Sequence, residues 1–178
     1  FYPTKPVGGC DGGMIVSDDK EAIDWFSLAT LNGTSPSQNN WERKVHFAGW
    51  KMHMNSIQAY IANENLKKLD EKYERLKKIR DIYNEYFSYN NTSNHLYRIN
   101  VNNNEVFIRA MEKLGITCGI HYRGIHHNDK YSRHFFNEIS TPLSDAEQNT
   151  TVSIPFHEKL HDNDIEYILK NVNEFRDI

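Results

Sequence analysis

The sequence predicts an α/β chain in which helices pack against a small sheet, and three observations predict it. Short β-rich runs alternate with helical periodicity along the second half of the chain. Apolar residues recur every three or four positions from Asn55 to about Phe87. A closing amphipathic segment follows Asp162, with Ile165, Ile168, Leu169, Val172 and Phe175 on one face. Strand–helix–strand–helix order with short connections implies an α/β or α+β layer.

The elements can be justified in order. Residues 1–13 carry Pro3, Pro6, Gly8, Gly9, Gly12 and Gly13 and predict a loop with a tight turn. Met14-Ile15-Val16 is a short apolar run expected to be a buried strand. Asp18-Asp19 caps a helix running to about Leu31, with Ile23, Phe26, Ala29 and Thr30 on one face and Asn32-Gly33 as the stop. The polar stretch 33–45 predicts a loop and the boundary between two structural units. The pattern of Leu66, Leu69, Tyr73, Leu76 and Tyr83 then predicts a long helix, bent near Asn63-Glu64-Asn65. Beyond it the sequence predicts a strand over His95–Val101, a helix over Glu105–Leu114 and a strand over Thr117–Tyr122. A short helix over Ser144–Asn149, a strand over Val152–Ile154 and a helix capped by Asp162 complete the order.

Bulk properties bound the function. The 178 residues are enough to bury a sizeable core, and 38% hydrophobic with 25% charged residues is a globular composition. A formal net charge of -3 gives no reason to expect nucleic acid or an anionic membrane as partner. No apolar run approaches the ~20 residues needed to span a bilayer, and the first residues do not read as a signal peptide. The two cysteines, Cys10 and Cys118, lack metal-type spacing and suit free thiols in a reducing cytoplasm. Sequons at Asn32, Asn90, Asn91 and Asn149 are expected by chance in an Asn-rich chain. The sequence opens at Phe1 inside what reads as structured protein, so a preceding segment is expected.

Four groups of residues are candidates for chemistry. Lys5 sits among aromatic and proline neighbours just before the glycine-rich turn; a lysine acts as nucleophile only as the free amine, which needs partial desolvation or a neighbouring cation. Taken alone, a solvated surface lysine is the ordinary reading. The Gly8–Gly13 cluster matches neither dinucleotide nor P-loop spacing, and a turn feeding a strand accounts for it. His121, His126, His127 and His134 fall close together beside Tyr122 and Tyr131. Metal ligation, a substrate-facing loop and ordinary surface histidines all remain open there, although no acidic or cysteine partner completes a metal spacing. Gly49-Trp50-Lys51-Met52-His53-Met54 precedes a helix start, where an anionic ligand or a simple hydrophobic staple would each fit.

The order of these motifs resembles the DegT-like nucleotide-sugar aminotransferases, enzymes of the aspartate-aminotransferase fold that use pyridoxal 5'-phosphate (PLP). The lysine-bearing stretch of that family is similar to Phe1–Lys5, and its Gly-Gly turn, short strand and Asp-Asp helix start to Cys10–Val16 and Ser17-Asp18-Asp19. Gly49–Met54 running into Ile57-Gln58-Ala59-Tyr60, then Leu66–Asp70, Gly115–Tyr122 and Val152–His157, match further family segments in order. The resemblance implies fold type I of the PLP-dependent transferases and specifically its C-terminal half, with residues 1–48 ending the large PLP-binding domain. Residues 49–178 would form a long linking helix and the small C-terminal α+β domain. A missing N-terminal half would carry the phosphate loop, the ring-stacking aromatic and the aspartate facing the pyridine nitrogen.

Residue by residue, the resemblance implies that Lys5 is catalytic and holds PLP as an internal aldimine, then moves the proton at the substrate carbon. Lys51 and His53 match positions, most often asparagine and arginine, that reach toward the cofactor phosphate of a partner subunit, which implies a homodimer. His121 matches a histidine near the bound sugar, with Tyr122 and His126 as neighbours, in a stretch that departs from the usual proline-rich version. The implied reaction is ping-pong transfer of an amino group, usually from glutamate, to a nucleotide-linked keto sugar, and no metal is implied. Dehydratases of the same family carry histidine in place of this lysine, so Lys5 points to transamination. The competing readings are a truncated non-catalytic module that binds a partner chain or nucleotide sugar, and a PLP-dependent sugar dehydratase.

Overall fold

The computed structural model describes residues 1–37, 39–124 and 141–177. They form two compact units, 1–69 and 70–178. The loop 33–45 lies within the first unit because backbone bonds clamp it. Ser35 N donates to Lys44 O at 3.2 Å, His46 N donates to Gly33 O at 2.8 Å, and Thr34 forms a β-bridge with Val45.

In the first unit, helix α1 spans Lys20–Ala29 and α2 spans Ser56–Lys67. Asp19 caps α1 by accepting from Ala22 N at 3.1 Å, and Asn55 caps α2 by accepting from Gln58 N at 3.0 Å. Both caps satisfy amides that the first helical turn leaves without partners. Helix α3, Leu69–Phe87, follows after a single break at Lys68. The long helical pattern is therefore interrupted at Lys68, not bent at Asn63–Asn65, where the Lys68 amide closes α2 by donating to Asn65 O at 3.2 Å. Met14, Ile15 and Val16, expected as a buried strand, are 73%, 55% and 83% exposed and pair with no strand among the described residues. An apolar triplet becomes a strand only where a neighbouring strand supplies the backbone partners.

The second unit holds the core. On α3, Leu76, Ile79, Tyr83 and Phe87 recur at helical spacing and are all buried. Strand β1, Tyr97–Asn100, pairs antiparallel with β2, Thr151–Ile154, in the register Tyr97↔Ile154, Arg98↔Ser153, Ile99↔Val152 and Asn100↔Thr151. Tyr97, Ile99, Val152 and Ile154 thus share the face that meets Phe107 and Met111 of α4, Asn104–Lys113, and Ile165, Ile168 and Val172 of the closing helix. The short helix α5 covers Pro142–Thr150, and the closing helix α6 covers Asp162–Phe175. The cap of α6 is His161, one residue before the expected Asp162, with Asp164 accepting from His161 N at 2.9 Å. The strand expected over Thr117–Tyr122 is reduced to one bridge, Gly119 to Ser153, because the chain bends at His121. No helix among the described residues is long and apolar enough to cross a membrane.

Burial in this core has a consequence for alkaline stability. Desolvation pushes the Cys118 thiol up to about 12 from an ordinary value of 9.0, and raises the Tyr83 and Tyr97 phenols well above the usual tyrosine range. Each group keeps its proton longer in the folded state than in the unfolded one. Its contribution is whole below the unfolded pKa and is lost as pH rises toward the folded one. For the thiol, stability should therefore fall between about pH 9 and 12, by roughly 1.4 kcal/mol per pH unit. Urea titrations across that range should show the decline, and Cys118→Ala should make it shallower. An unchanged slope in the variant would mean that the thiol is not desolvated in solution.

Candidate active site

Lys5 ends a tight turn. Its amide donates to Tyr2 O at 2.9 Å across Pro3-Thr4, and Gly9 N donates to Phe1 O at 2.8 Å. The turn is docked on α2, where Asn65 Nδ2 donates to Gly8 O at 2.7 Å and Gly8 and Gly9 are buried. Gly8 and Gly9 therefore serve backbone packing, while Lys5 itself is exposed. A flexible four-carbon stem on a fixed turn presents an accessible amine from a defined origin.

Lys51 and His53 belong to the same unit. The segment that carries them is held against the end of α1 by three backbone bonds. Trp50 N donates to Ala29 O at 2.7 Å, Asn32 N to Trp50 O at 2.9 Å and Met52 N to Thr30 O at 2.9 Å. Close approach is possible because two glycines meet: a Cβ on Gly49 would lie 2.2 Å from Gly33 N, and one on Gly33 would lie 1.8 Å from Phe47 O. Trp25 stacks on Phe47 beside this contact, centroids 5.5 Å apart. Lys51 and His53 are exposed.

His121 and Tyr122 lie in the second unit. The imidazole Nδ1 is 2.9 Å from Ser153 Oγ, and its ring meets that of Tyr122 edge to face at 5.1 Å. Tyr122 is 69% exposed and, with Arg123, Gly124, Leu143, Glu147 and Gln148, lines an open cavity of about 660 Å³. Gly124 N donates to Gln148 Oε1 at 3.0 Å, and Arg123 Nη2 pairs with Glu105 Oε1 at 3.2 Å. His126, with His127, Tyr131 and His134, lies outside the described residues. Among the described residues no His, Cys, Asp and Glu side chains gather as metal ligands. The structure thus brings Lys5, Lys51 and His53 into one unit, and His121 and Tyr122 into the other.

The donor set fits two ends of pyridoxal phosphate. The aldehyde calls for a primary amine and the phosphate for cationic or N–H donors, and the exposed Lys5, Lys51 and His53 are side chains of those kinds. Ser153 and Gly33 were not among the candidates from sequence. The Gly49-aromatic pair was visible as a motif, but its contact with Gly33 was not.

Comparison with known proteins defines first the class of fold. Helicobacter pylori PseC, an aminotransferase involved in the biosynthesis of pseudoaminic acid, superposes with a TM-score of 0.86 at 22% identity. The match covers 96% of this chain and 50% of that one, so the fold is the C-terminal half of the type I PLP-dependent transferase architecture. The model of the DegT/DnrJ/EryC1/StrS aminotransferase family matches residues 1–173, and the chain belongs to that family. The spore coat polysaccharide biosynthesis protein SpsC of Bacillus subtilis is 24% identical over 98% of this chain and 52% of its own length. A UDP-4-amino-4,6-dideoxy-N-acetyl-beta-L-altrosamine transaminase of Campylobacter jejuni is 26% identical over 94% of this chain and 49% of its own. The chain spans about half the length of the curated relatives it matches.

Proposed function

We propose that the full-length protein transfers an amino group to a nucleotide-linked keto sugar with PLP as cofactor and glutamate as donor. The observation that carries the reading is Lys5, an exposed amine on a docked turn in a chain of the aminotransferase family. The Campylobacter relative, named as a UDP-amino-sugar transaminase, supports the substrate class. Bound PLP supplies an electron sink for the pair released when the C–H bond beside the transferred nitrogen breaks.

The chain's own residues divide the remaining work. Lys5 Nζ would hold the cofactor by its aldehyde and would move the proton at the reacting carbon. Lys51 offers positive charge, and Lys51 and His53 offer N–H donors, to the phosphate in a partner subunit, so the working protein is a homodimer. Residues 1–48 belong to the large cofactor-binding domain and 49–178 to the linking helix and small domain. His121 and Tyr122 face the sugar nucleotide, and the resemblance adds His126. The free thiols Cys10 and Cys118 suit a reducing cytoplasm.

The direct test is borohydride reduction of the full-length protein followed by peptide mass mapping. A pyridoxyl adduct on Lys5 is expected; an adduct on another lysine, or none despite bound cofactor, would overturn the assignment. His121→Ala is expected to slow the keto-sugar half-reaction about tenfold, the loss of one hydrogen bond to a polar or charged group. The glutamate half-reaction should change much less in single-turnover spectra. Equal loss in both would assign His121 a structural role instead.

A further inference from the structure

We propose that Ser153 is a positioning residue that fixes the His121 imidazole in its Nε2–H form, so that a hydrogen-bond donor is offered to the sugar nucleotide. The proposal rests on the sugar-facing role given to His121 above.

The backbone explains why Ser153 can reach the ring. In the β1–β2 register Ser153 stands opposite Arg98, and its own N–H and C=O turn away from β1. They pair with Gly119 instead, Ser153 N donating to Gly119 O at 2.7 Å and Gly119 N to Ser153 O at 3.0 Å. This tie leaves His121 only two residues from the point where its segment is held. Side chains alternate along β2, so Val152 and Ile154 enter the core and Ser153 points to the opposite face. That face is covered, since Ser153 is only 5% exposed. The imidazole fits there because Gly119 has no side chain: a Cβ would lie 3.1 Å from His121 Cε1. Tyr122 closes on the ring edge to face.

The direction of the hydrogen bond follows from counting protons. Neutral imidazole has one N–H and one acceptor nitrogen, while serine has one O–H. If Nδ1–H donated to Ser153 Oγ, the serine proton would need its own acceptor, and Ser153 Oγ makes no other hydrogen bond among the described residues. A buried hydroxyl proton without a partner is unfavourable. Donation from Ser153 Oγ to Nδ1 leaves no such orphan and puts the imidazole proton on Nε2. Nε2 has no hydrogen-bond partner among the described residues. A keto oxygen and phosphate oxygens can only accept, so this tautomer binds them and the other does not.

The test combines a spectroscopic readout with kinetics on the full-length protein. Long-range proton–nitrogen spectra of protein with nitrogen-15 histidine, recorded near pH 8, identify the His121 tautomer, with His121→Asn giving the assignment. The expected wild-type ring is protonated at Nε2 and accepts at Nδ1; the Nδ1 signal should shift in Ser153→Ala and be retained in Ser153→Thr. A ring protonated at Nδ1, or an Nδ1 signal unmoved by Ser153→Ala, would overturn the proposal. Kinetically, Ser153→Ala should raise KM for the keto sugar about tenfold and have no further effect in a His121→Ala background. Additive losses in the double variant would show that serine acts through the fold and not through His121. A His121→Ala protein with unimpaired keto-sugar turnover would remove the sugar-facing role, while the Nδ1 signal would still decide the Ser153–His121 pairing.

Discussion

Lys5→Ala in the full-length protein is expected to lower kcat in both half-reactions by about 10²–10⁴, the range that a positioned proton-transfer group contributes. The argument is one of chemistry at a single atom. Alanine can neither bond the cofactor aldehyde nor carry a proton, and the turn that presents residue 5 leaves no other lysine on it. Fold should be unaffected, because Lys5 is exposed and the turn is held by main-chain bonds and the Asn65 contact. Loss of turnover with an unchanged melting temperature is therefore the signature. The same variant tests assembly. Mixed with a Lys51→Ala, His53→Ala subunit, it should regain activity, since a heterodimer would hold one pocket with an intact lysine and an intact phosphate pair. No recovery on mixing would place Lys51 and His53 away from the partner's pocket, and a Lys5→Ala protein that turns over normally would end the transaminase reading.

The sequence carried much of this fold because most of its elements are decided locally. Asp19, Asn55 and Asn103 cap helices through their own side chains, and the left-handed Asn32-Gly33 pair ends α1, so those boundaries are written in adjacent residues. Of the expected apolar pattern, Leu76 and Tyr83 are buried on α3 together with Ile79 and Phe87, whereas Leu66 is 53% exposed. Met14–Val16 and Thr117–Tyr122 failed as strands for a shared reason: a strand is defined by the backbone beside it, which periodicity does not contain. Ser153 shows the same limit at the site. A serine between Val152 and Ile154 reads as a solvent-facing position in a half-buried strand. Only the pairing with Gly119, more than thirty residues away in sequence, covers that face and turns the hydroxyl toward His121. Lys5, by contrast, is a proposal that rests on its motif alone, since an exposed lysine on a turn has no distinctive physical signature.

Gly33→Ala is the substitution expected to cost the first unit most. Gly33 has φ of +70°, a conformation that costs an L side chain about 1–2 kcal/mol. Its new Cβ would lie 1.8 Å from Phe47 O, a backbone atom that no rotamer change can move aside. The segment 47–49 must retreat, and the bonds from Trp50 N, Met52 N and Asn32 N that depend on its approach lengthen with it. At about 1 kcal/mol for each hydrogen bond, strain and lost bonds together reach roughly 4 kcal/mol of local stability. Amide exchange at Asn32, Trp50 and Met52 should accelerate by about a thousandfold. Lys51 and His53 ride on the released segment, so cofactor retention should fall in parallel. Gly13→Ala is the control, since a Cβ there meets nothing within 4 Å and the change should stay within about 0.5 kcal/mol. Unchanged protection of Trp50 and Met52 in Gly33→Ala would mean that the two glycines do not hold the segment, and that Lys51 and His53 are placed by something other than this clamp.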